Sequence, residues 1–255
     1  MRLGFLGTGT AIPSATRGAS GYVLEAEGDV LLLECGPGST RRWPAMGLDF
    51  ARIGAVLCSH HHVDHCGDLA ALLFGRNVAP EVHEGLVLAG PTGHGRLIDR
   101  LQEAFGDGVR HDDLQVVELD EGGALALAGF AIEARAMAHP RRNADEAPAL
   151  GFRIERGGRR LAFSGDSGAC DALVELCRGV DLALLECSYP AGRESSRHLN
   201  AATVAQVARD AGVRRLVLTH IYPEADRVDL ESEVRAAGYE GELTIASDGL
   251  WLGVE

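Results

Sequence analysis

Long apolar runs, paired cysteines and an excess of positive charge are all missing from this 255-residue sequence. No apolar stretch approaches the roughly 18 uninterrupted residues that a membrane-spanning helix needs. The start, MRLGFLGTGT, lacks the basic segment and long apolar core of a signal peptide. We therefore expect a cytoplasmic protein that does not enter a membrane.

The cysteine pattern excludes two common kinds of site. The six cysteines stand singly, at Cys35, Cys58, Cys66, Cys170, Cys177 and Cys187. Without a CxxC pair, neither a zinc knuckle nor a thioredoxin-type motif is available. In a reducing compartment we expect most of these cysteines to be small buried apolar residues.

The charge balance is acidic, with 24 Lys and Arg against 37 Asp and Glu and a formal net charge of −13. Since duplex binding needs many basic side chains to neutralise phosphates, we expect no strong binding to duplex nucleic acid. The apolar share of 46% excludes disorder as the dominant state. No linker, repeat or low-complexity stretch divides the chain, and we predict one domain over residues 1–255.

Short apolar runs bounded by Gly, Asp and Pro predict strands, and longer amphipathic runs predict helices. Strands are predicted at 2–7, 20–26, 29–35, 53–59, 114–119, 130–138, 150–155, 160–164, 181–186, 215–219, 243–246 and 250–254. Helices are predicted at 67–74, 96–105, 171–177, 201–211 and 230–237. Two mixed sheets packed face to face with helices outside would satisfy this pattern, and so would a three-layer α/β fold.

Four of the ten histidines fall within six positions, in the segment SHHHVDH at 59–65. In an extended strand His60 and His62 point to one side and His61 to the other. If the chain turns after His62, then Asp64 and His65 can face the same pocket. These side chains suit zinc, with manganese or iron as alternatives, and four donors exceed the need of one catalytic zinc. We therefore favour two metals over a surface loop that chelates incidentally.

The stretch HHHVDH resembles the HxHxDH signature of the metallo-β-lactamase superfamily. Three later motifs follow in that family's order: AHP at 138–140, SGDS at 164–167 and TH at 219–220. The resemblance runs from FLGTGTAIPSATRGAS near the start to the final ASDG. It implies an αββα four-layer sandwich, in which two mixed β-sheets are flanked by helices and two divalent metal ions bind at one edge.

The resemblance also implies a ligand set. His60, His62 and His139 would hold the first metal. Asp64, His65 and His220 would hold the second. Asp166 would bridge the two, where true β-lactamases mostly have a cysteine, and this favours hydrolases of phosphodiesters, thioesters and other esters. Taken singly, His139 could be a turn residue, Asp166 a helix cap and His220 a strand-end histidine.

A finer resemblance, to the tRNase Z branch, is carried by LECSY at 185–189 and HLNAA at 198–202. It implies that Glu186 and His198 form a proton relay, since a departing alkoxide needs a proton that a Glu-held His can supply. The alternative for His198 is a helix-start residue in a solvated loop. Asp64 would orient the nucleophile, and Glu34 is either a partner of a ligand histidine or a solvated acid.

The departures from that branch limit the substrate. Only 26 residues separate His139 from Asp166, so the arm that clamps tRNA is absent, and Glu34 stands where the family usually has Asp. We expect a phosphodiesterase acting on small phosphodiesters, cyclic nucleotides or short RNA. The alternatives are an ester, thioester or lactone hydrolase, a tRNA 3′-end endonuclease that needs a partner for recognition, and a metal-binding sensor without catalysis. Relatives often pair as homodimers, and the resemblance extends this expectation to the chain.

The remaining polar residues carry weaker expectations. Arg141, Arg142 and Asn143 are either phosphate donors or a solvated turn. We expect His61 to face away from the metals. His83, His94 and His111 are expected to be surface residues or to lie one layer behind the ligands. Cys66 is expected to be a packing residue rather than a sensor of oxidation.

Overall fold

The structure is a computed structural model that describes residues 1–79, 85–139 and 149–255. The strands are β1 Arg2–Gly7, β2 Gly21–Ala26, β3 Asp29–Leu33, β4 Ala55–Leu57, β5 Leu86–Pro91, β6 Leu114–Leu119, β7 Ala124–Leu127, β8 Phe130–Ala136, β9 Leu150–Arg156, β10 Arg159–Phe163, β11 Leu182–Glu186, β12 Arg215–Thr219, β13 Glu242–Ile245 and β14 Trp251–Gly253. The α-helices are α1 Ser39–Arg42, α2 Val63–Cys66, α3 Leu69–Val78, α4 His94–Phe105, α5 Asp171–Cys177, α6 Ala201–Ala211 and α7 Leu230–Ala236. Short 3-10 turns lie at Pro44–Met46, Phe50–Arg52, Gly106–Val109 and Ala225–Arg227.

Within these ranges the strands form two seven-stranded mixed sheets with matching layouts. The first sheet has the order β14-β1-β2-β3-β4-β5-β6, antiparallel from β14 to β3 and parallel from β3 to β6. The second has the order β13-β12-β11-β10-β9-β8-β7, antiparallel from β7 to β10 and parallel from β10 to β13. Each sheet therefore has parallel strands whose carboxyl ends are free to present loops at one edge.

Three apolar cores hold the layers together. The central core lies between the two sheets, where the rings of Tyr22 and Phe163 are 5.4 Å apart. One outer core packs α3 and α4 on the first sheet, and the other packs α5, α6 and α7 on the second. The order helix, sheet, sheet, helix is the αββα sandwich expected from the resemblance and excludes the three-layer alternative. Among the described residues, no helix has both the length and the apolarity to cross a membrane.

The strand patterns explain which faces are buried. β8 alternates buried and exposed residues along FAIEARA, as expected for a strand with one solvated face. β11, LALLE, is buried throughout because helices cover its outer face and the first sheet covers its inner face. The structure confirms the predicted bounds of three strands, at 2–7, 114–119 and 215–219, and of two helices, at 171–177 and 201–211.

The strand predicted at 53–59 is shorter than expected, and two strands were not predicted. β4 ends at Leu57, so the histidines follow the strand in a loop instead of continuing it. β5, which pairs with β4 on one side and the edge strand β6 on the other, was missed. β7 was missed because four residues of Ala and Leu carry a weak strand signal.

Candidate metal centre

Residues that follow four different strands meet at one edge of the sandwich. The histidine-rich loop follows β4, His139 follows β8, Asp166 follows β10 and His220 follows β12. The ring of His60 lies 4.1 Å from that of His65 and 5.2 Å from that of His139. The rings of His65 and His220 are also 5.2 Å apart. Side chains separated by up to 160 positions in sequence are thus brought into one cluster.

Within this cluster the possible donor atoms divide into compact sets. In each set, one donor atom per residue lies within 4.8 Å of all the others. One set is His60, His62, His139 and Asp166, and a second is Asp64, His65 and His220. The first set adds Asp166 to the three histidines implied for one metal, and the second holds the three residues implied for the other without Asp166. The assignment of these residues as ligands stays a prediction. A third set joins Asp166 to His198 and His220.

Three of the histidine rings are held so that one nitrogen contacts a polar group behind the site. His60 Nδ1 lies 2.9 Å from the Ser59 hydroxyl, and His139 Nδ1 donates to the Arg197 carbonyl at 3.0 Å. His220 Nδ1 lies 3.0 Å from the hydroxyl of Ser188. Such contacts fix the orientation and the tautomer of metal-binding imidazoles.

The opposite atoms are left without partners. Among the described residues, the buried atoms without a hydrogen bond include Nε2 of His60, His65, His139 and His220 and Oδ1 of Asp166. An unpaired buried polar atom costs free energy, so five at one point call for an explanation. Divalent cations supply it, because imidazole nitrogens and a carboxylate are their usual ligands. The residues present therefore fit a metal centre.

Glu34 lies behind the ligands rather than in solvent. Its side chain is fully buried, accepts a hydrogen bond from the Ser59 backbone N–H at 3.1 Å and lies 3.5 Å from His65 Nδ1. The residue has a positive φ of 61°, and His220 has a φ of 54°. This conformation is rare for residues with a Cβ and is typically found where function demands it. Of the two interpretations offered by the sequence, the partner of a ligand histidine is the one that agrees with the geometry.

In this cluster, burial and neighbouring charges shift the pKa values of the candidate ligands. Burial and the neighbouring His65 hold the pKa of His60 well below its usual value, which keeps the ring neutral with one nitrogen lone pair available. Burial disfavours a charge on His65, but the carboxylates of Asp166 and Glu34 outweigh it and raise its pKa well above the usual value. Burial would raise the pKa of Asp64, yet the neighbouring His220 and the charge of His65 lower it to about 2.

Glu186 and His198 form a contact pair beside these donors. His198 Nδ1 lies 3.0 Å from Oε1 of the fully buried Glu186. The same carboxylate accepts from the Ser167 N–H at 2.7 Å, the Leu199 N–H at 3.2 Å and the Ser188 hydroxyl at 2.5 Å. Burial lowers the pKa of His198, but its hydrogen bond to Glu186 outweighs this and raises it.

Sequence reasoning missed the hydroxyl and carbonyl groups that hold the rings. Ser188 lies between Glu186 and His220 and therefore links the candidate relay to a candidate ligand. Ser59 directly precedes His60 in the sequence, and this position could have indicated their contact. The contact between His139 and the Arg197 carbonyl joins residues 58 positions apart, and no local sequence pattern predicts it.

The other expectations have mixed outcomes. His61 faces away from the donor sets, with Nε2 3.1 Å from Nδ1 of the fully buried His94. His111 Nε2 lies 2.8 Å from the Leu73 carbonyl. Cys66 is buried and its thiol donates to the His62 carbonyl, as expected of a packing residue. His83, Arg141, Arg142 and Asn143 lie outside the described residues.

Comparison with known proteins decides the family. A family model described as the beta-lactamase superfamily domain matches residues 30–221. The chain belongs to this family. The match includes every candidate ligand from His60 to His220 and both residues of the candidate relay.

Similar proteins place the chain within the superfamily. Ribonuclease Z of Myxococcus xanthus is 31% identical, over 98% of this chain and 96% of the relative. That alignment has 306 positions against the 255 residues of this chain, so the relative contains segments that this chain lacks. Human tRNase Z, short form, is 26% identical over the full length of both chains with a TM-score of 0.79. The fold is also that of YhfI from Bacillus subtilis, with 22% identity, 98% of both chains covered and a TM-score of 0.85.

Proposed function

We propose that this protein is a hydrolase with two divalent metal ions that cleaves phosphodiesters in small molecules, cyclic nucleotides or short RNA. The observation that carries the proposal is the convergence of two donor sets on one point, with the Glu186–His198 pair at its side. Relatives named Ribonuclease Z support the phosphodiester as the bond that is cleaved. The absence of the arm and the net charge of −13 favour substrates smaller than tRNA.

The donor sets suggest how the metals would be held. His60, His62 and His139 would hold one ion, Asp64, His65 and His220 the other, and Asp166 would contact both. We propose zinc, with manganese or iron as alternatives, because imidazole and carboxylate donors suit all three. When bound, such a pair lowers the pKa of a water and stabilises charge on the reacting oxygens.

Asp64 is suited to orient the attacking water. Its pKa of about 2 keeps the carboxylate ionised at neutral pH, so it accepts hydrogen bonds. Oδ2 lies 3.5 Å from His220 Nε2 and 3.8 Å from His65 Nε2, at the centre of the second donor set. A water that donates to Asp64 would therefore be positioned beside the reacting phosphorus.

His198 is suited to protonate the leaving oxygen. Nδ1 is engaged by Glu186, which leaves Nε2 as the atom that can pass a proton to substrate. The ring is 13% exposed and therefore within reach of a bound molecule. Because Glu186 raises the pKa of His198, the imidazole keeps its proton to higher pH than a free histidine would.

A substrate screen on metal-loaded protein tests the proposal. The screen pairs bis(p-nitrophenyl) phosphate, cyclic nucleotides and short RNA with ester, thioester and lactone substrates. We expect turnover of the phosphodiesters, abolished by Asp166→Asn and retained by Asp171→Asn, an exposed aspartate in the first turn of α5. Turnover of the esters alone would replace the proposal by the ester hydrolase, and silence on every substrate would favour a sensor.

Two further expectations complete the proposal. Cleavage of pre-tRNA only in the presence of a second protein would support the endonuclease that borrows its recognition arm. We also propose a cytoplasmic homodimer, the expectation that the resemblance to the tRNase Z branch carries. Light scattering of the purified protein and fractionation of cells would test these two points.

A further inference from the structure

Two tyrosines and an arginine lie against the candidate relay without belonging to it. The ring of Tyr189 lies 5.9 Å from that of His198, and Tyr222 lies 5.9 Å from His198 and 5.6 Å from His220. The two tyrosine rings are 5.3 Å apart and tilted by 38°. The Arg193 guanidinium lies 3.9 Å above the centre of the Tyr189 ring. We call Tyr189, Tyr222 and Arg193 the aromatic platform.

The platform is held in place by the backbone on both sides of the site. The Tyr189 carbonyl accepts from the Ala201 N–H at 3.0 Å, which ties it to the start of α6. The carbonyl of Arg193 accepts from the Asn200 side-chain amide at 2.9 Å, and its guanidinium pairs with Glu224. Tyr222 comes two residues after His220, in the loop that leaves β12. The rings therefore have fixed positions relative to the candidate ligands.

The fold does not need these side chains as core. Both tyrosines are half-buried and Arg193 is exposed. Within residues 1–79, 85–139 and 149–255, neither tyrosine hydroxyl has a hydrogen-bond partner. A tyrosine pair with a guanidinium stacked on it presents flat, polarisable surfaces, which nucleobases stack on.

We propose that the aromatic platform binds a nucleobase of the substrate, on the side of the leaving group. The side follows from contact, because both tyrosine rings lie against His198, the group that would protonate the leaving oxygen. The inference rests on the proposed phosphodiesterase function and narrows the substrate from any small phosphodiester to one with a base beside the scissile bond. The base stacks on the exposed surface of the platform while the phosphate faces the donor sets.

A binding experiment tests the platform without any turnover. Zinc-loaded protein is titrated calorimetrically with AMP and with ribose 5-phosphate, which lacks only the base. Stacking on an aromatic side chain predicts about 5- to 160-fold tighter binding of AMP. Tyr222→Ala and Arg193→Ala should shrink this ratio towards one, and Tyr222→Phe should preserve it.

Matched controls lie elsewhere on the molecule. Phe105→Ala removes an exposed ring at the far end of α4, and Arg110→Ala removes an exposed arginine paired with Asp107, much as Arg193 pairs with Glu224. Neither control should change the ratio of the two affinities. Equal affinity of AMP and ribose 5-phosphate in the unmodified protein would overturn the platform, whatever bond the protein hydrolyses.

A kinetic experiment then tests the side of the scissile bond. The substrates are the dinucleotide ApA and two analogues that lack the base on one nucleoside or the other, and the products identify the leaving nucleoside. We expect kcat/KM to fall about 5- to 160-fold when the leaving nucleoside lacks its base. Tyr222→Ala should remove this difference. A fall in kcat/KM only when the other nucleoside lacks its base would overturn the assignment of the platform to the leaving-group side. If none of the three substrates is hydrolysed, the result counts against the proposed function and leaves the binding result unaffected.

Discussion

Removal of the His198 imidazole should affect turnover according to the leaving group. The ring lies 3.0 Å from Glu186 and is the group beside the donor sets that can pass on a proton. General acid catalysis contributes about 10²- to 10⁴-fold, or roughly 3 to 5 kcal/mol of barrier. We expect His198→Ala to lower kcat on a cyclic nucleotide by this factor, because its alkoxide leaving group needs a proton. The loss on bis(p-nitrophenyl) phosphate should be much smaller, because p-nitrophenolate leaves without one.

Glu186→Gln separates charge from shape at the same pair. The carboxylate raises the pKa of His198, so the amide should lower it. Since the acid must be protonated, activity falls as pH rises through this pKa, and the alkaline limb of the pH–rate profile should move to lower pH. In the wild-type protein the two carboxylate oxygens accept from the backbone N–H groups of Ser167 and Leu199. The amide NH2 of Gln cannot accept one of these hydrogen bonds, so we expect the free energy of unfolding to fall by about 1 to 3 kcal/mol.

The assay is steady-state kinetics on both substrates from pH 5 to 10, with zinc content measured for every variant. Zinc content matters because His198 also belongs to a donor set with Asp166 and His220. Equal losses on the two leaving groups, with full zinc content, would refute the role of His198 as the acid. Loss of one zinc in His198→Ala would instead make His198 a ligand.

Three further predictions concern the metal centre and the fold. Glu34→Gln should weaken zinc affinity by about 10- to 100-fold, because Glu34 orients His65 from behind. A competition titration with a chelating dye measures this affinity, and an unchanged value would contradict the prediction. Because Asp166 and Glu34 raise the pKa of His65, a proton on this ring competes with zinc more strongly than a proton on an ordinary histidine. An indicator dye in weak buffer should therefore record proton release, and zinc affinity should fall as pH falls; uptake without release would contradict this. Phe152→Ala, at a fully buried position between the sheets, should cost about 3 to 5 kcal/mol in urea unfolding, and a loss below 1 kcal/mol would show that the central core does not depend on it.

The sequence predicted the candidate ligands because each follows an apolar strand. The parallel strands β4 of the first sheet and β10 and β12 of the second end at the same edge of the sandwich, so the loops after them meet there. The family's motif order predicted the residues in these loops. The helices α5 and α6 were predicted to the residue because their apolar spacing and the Asn200 cap are local signals.

Contacts between distant residues could not be predicted in this way. The His139 contact to the Arg197 carbonyl and the positive φ of His220 depend on the assembled site, and neither has a sequence signature. The strand β7 was missed because Ala and Leu favour helices as readily as strands, and its place is set by pairing with β8. The aromatic platform was also missed, because Tyr189 and Tyr222 are distant in sequence and come into contact only in the folded chain.

An anomalous difference map from crystals of the zinc-loaded protein would test the two-metal centre most directly. We expect two peaks, one against His60, His62 and His139 and the other against Asp64, His65 and His220. Asp166 should lie within bonding distance of both. A single peak, or a pair of peaks that Asp166 does not contact, would contradict the two-metal centre.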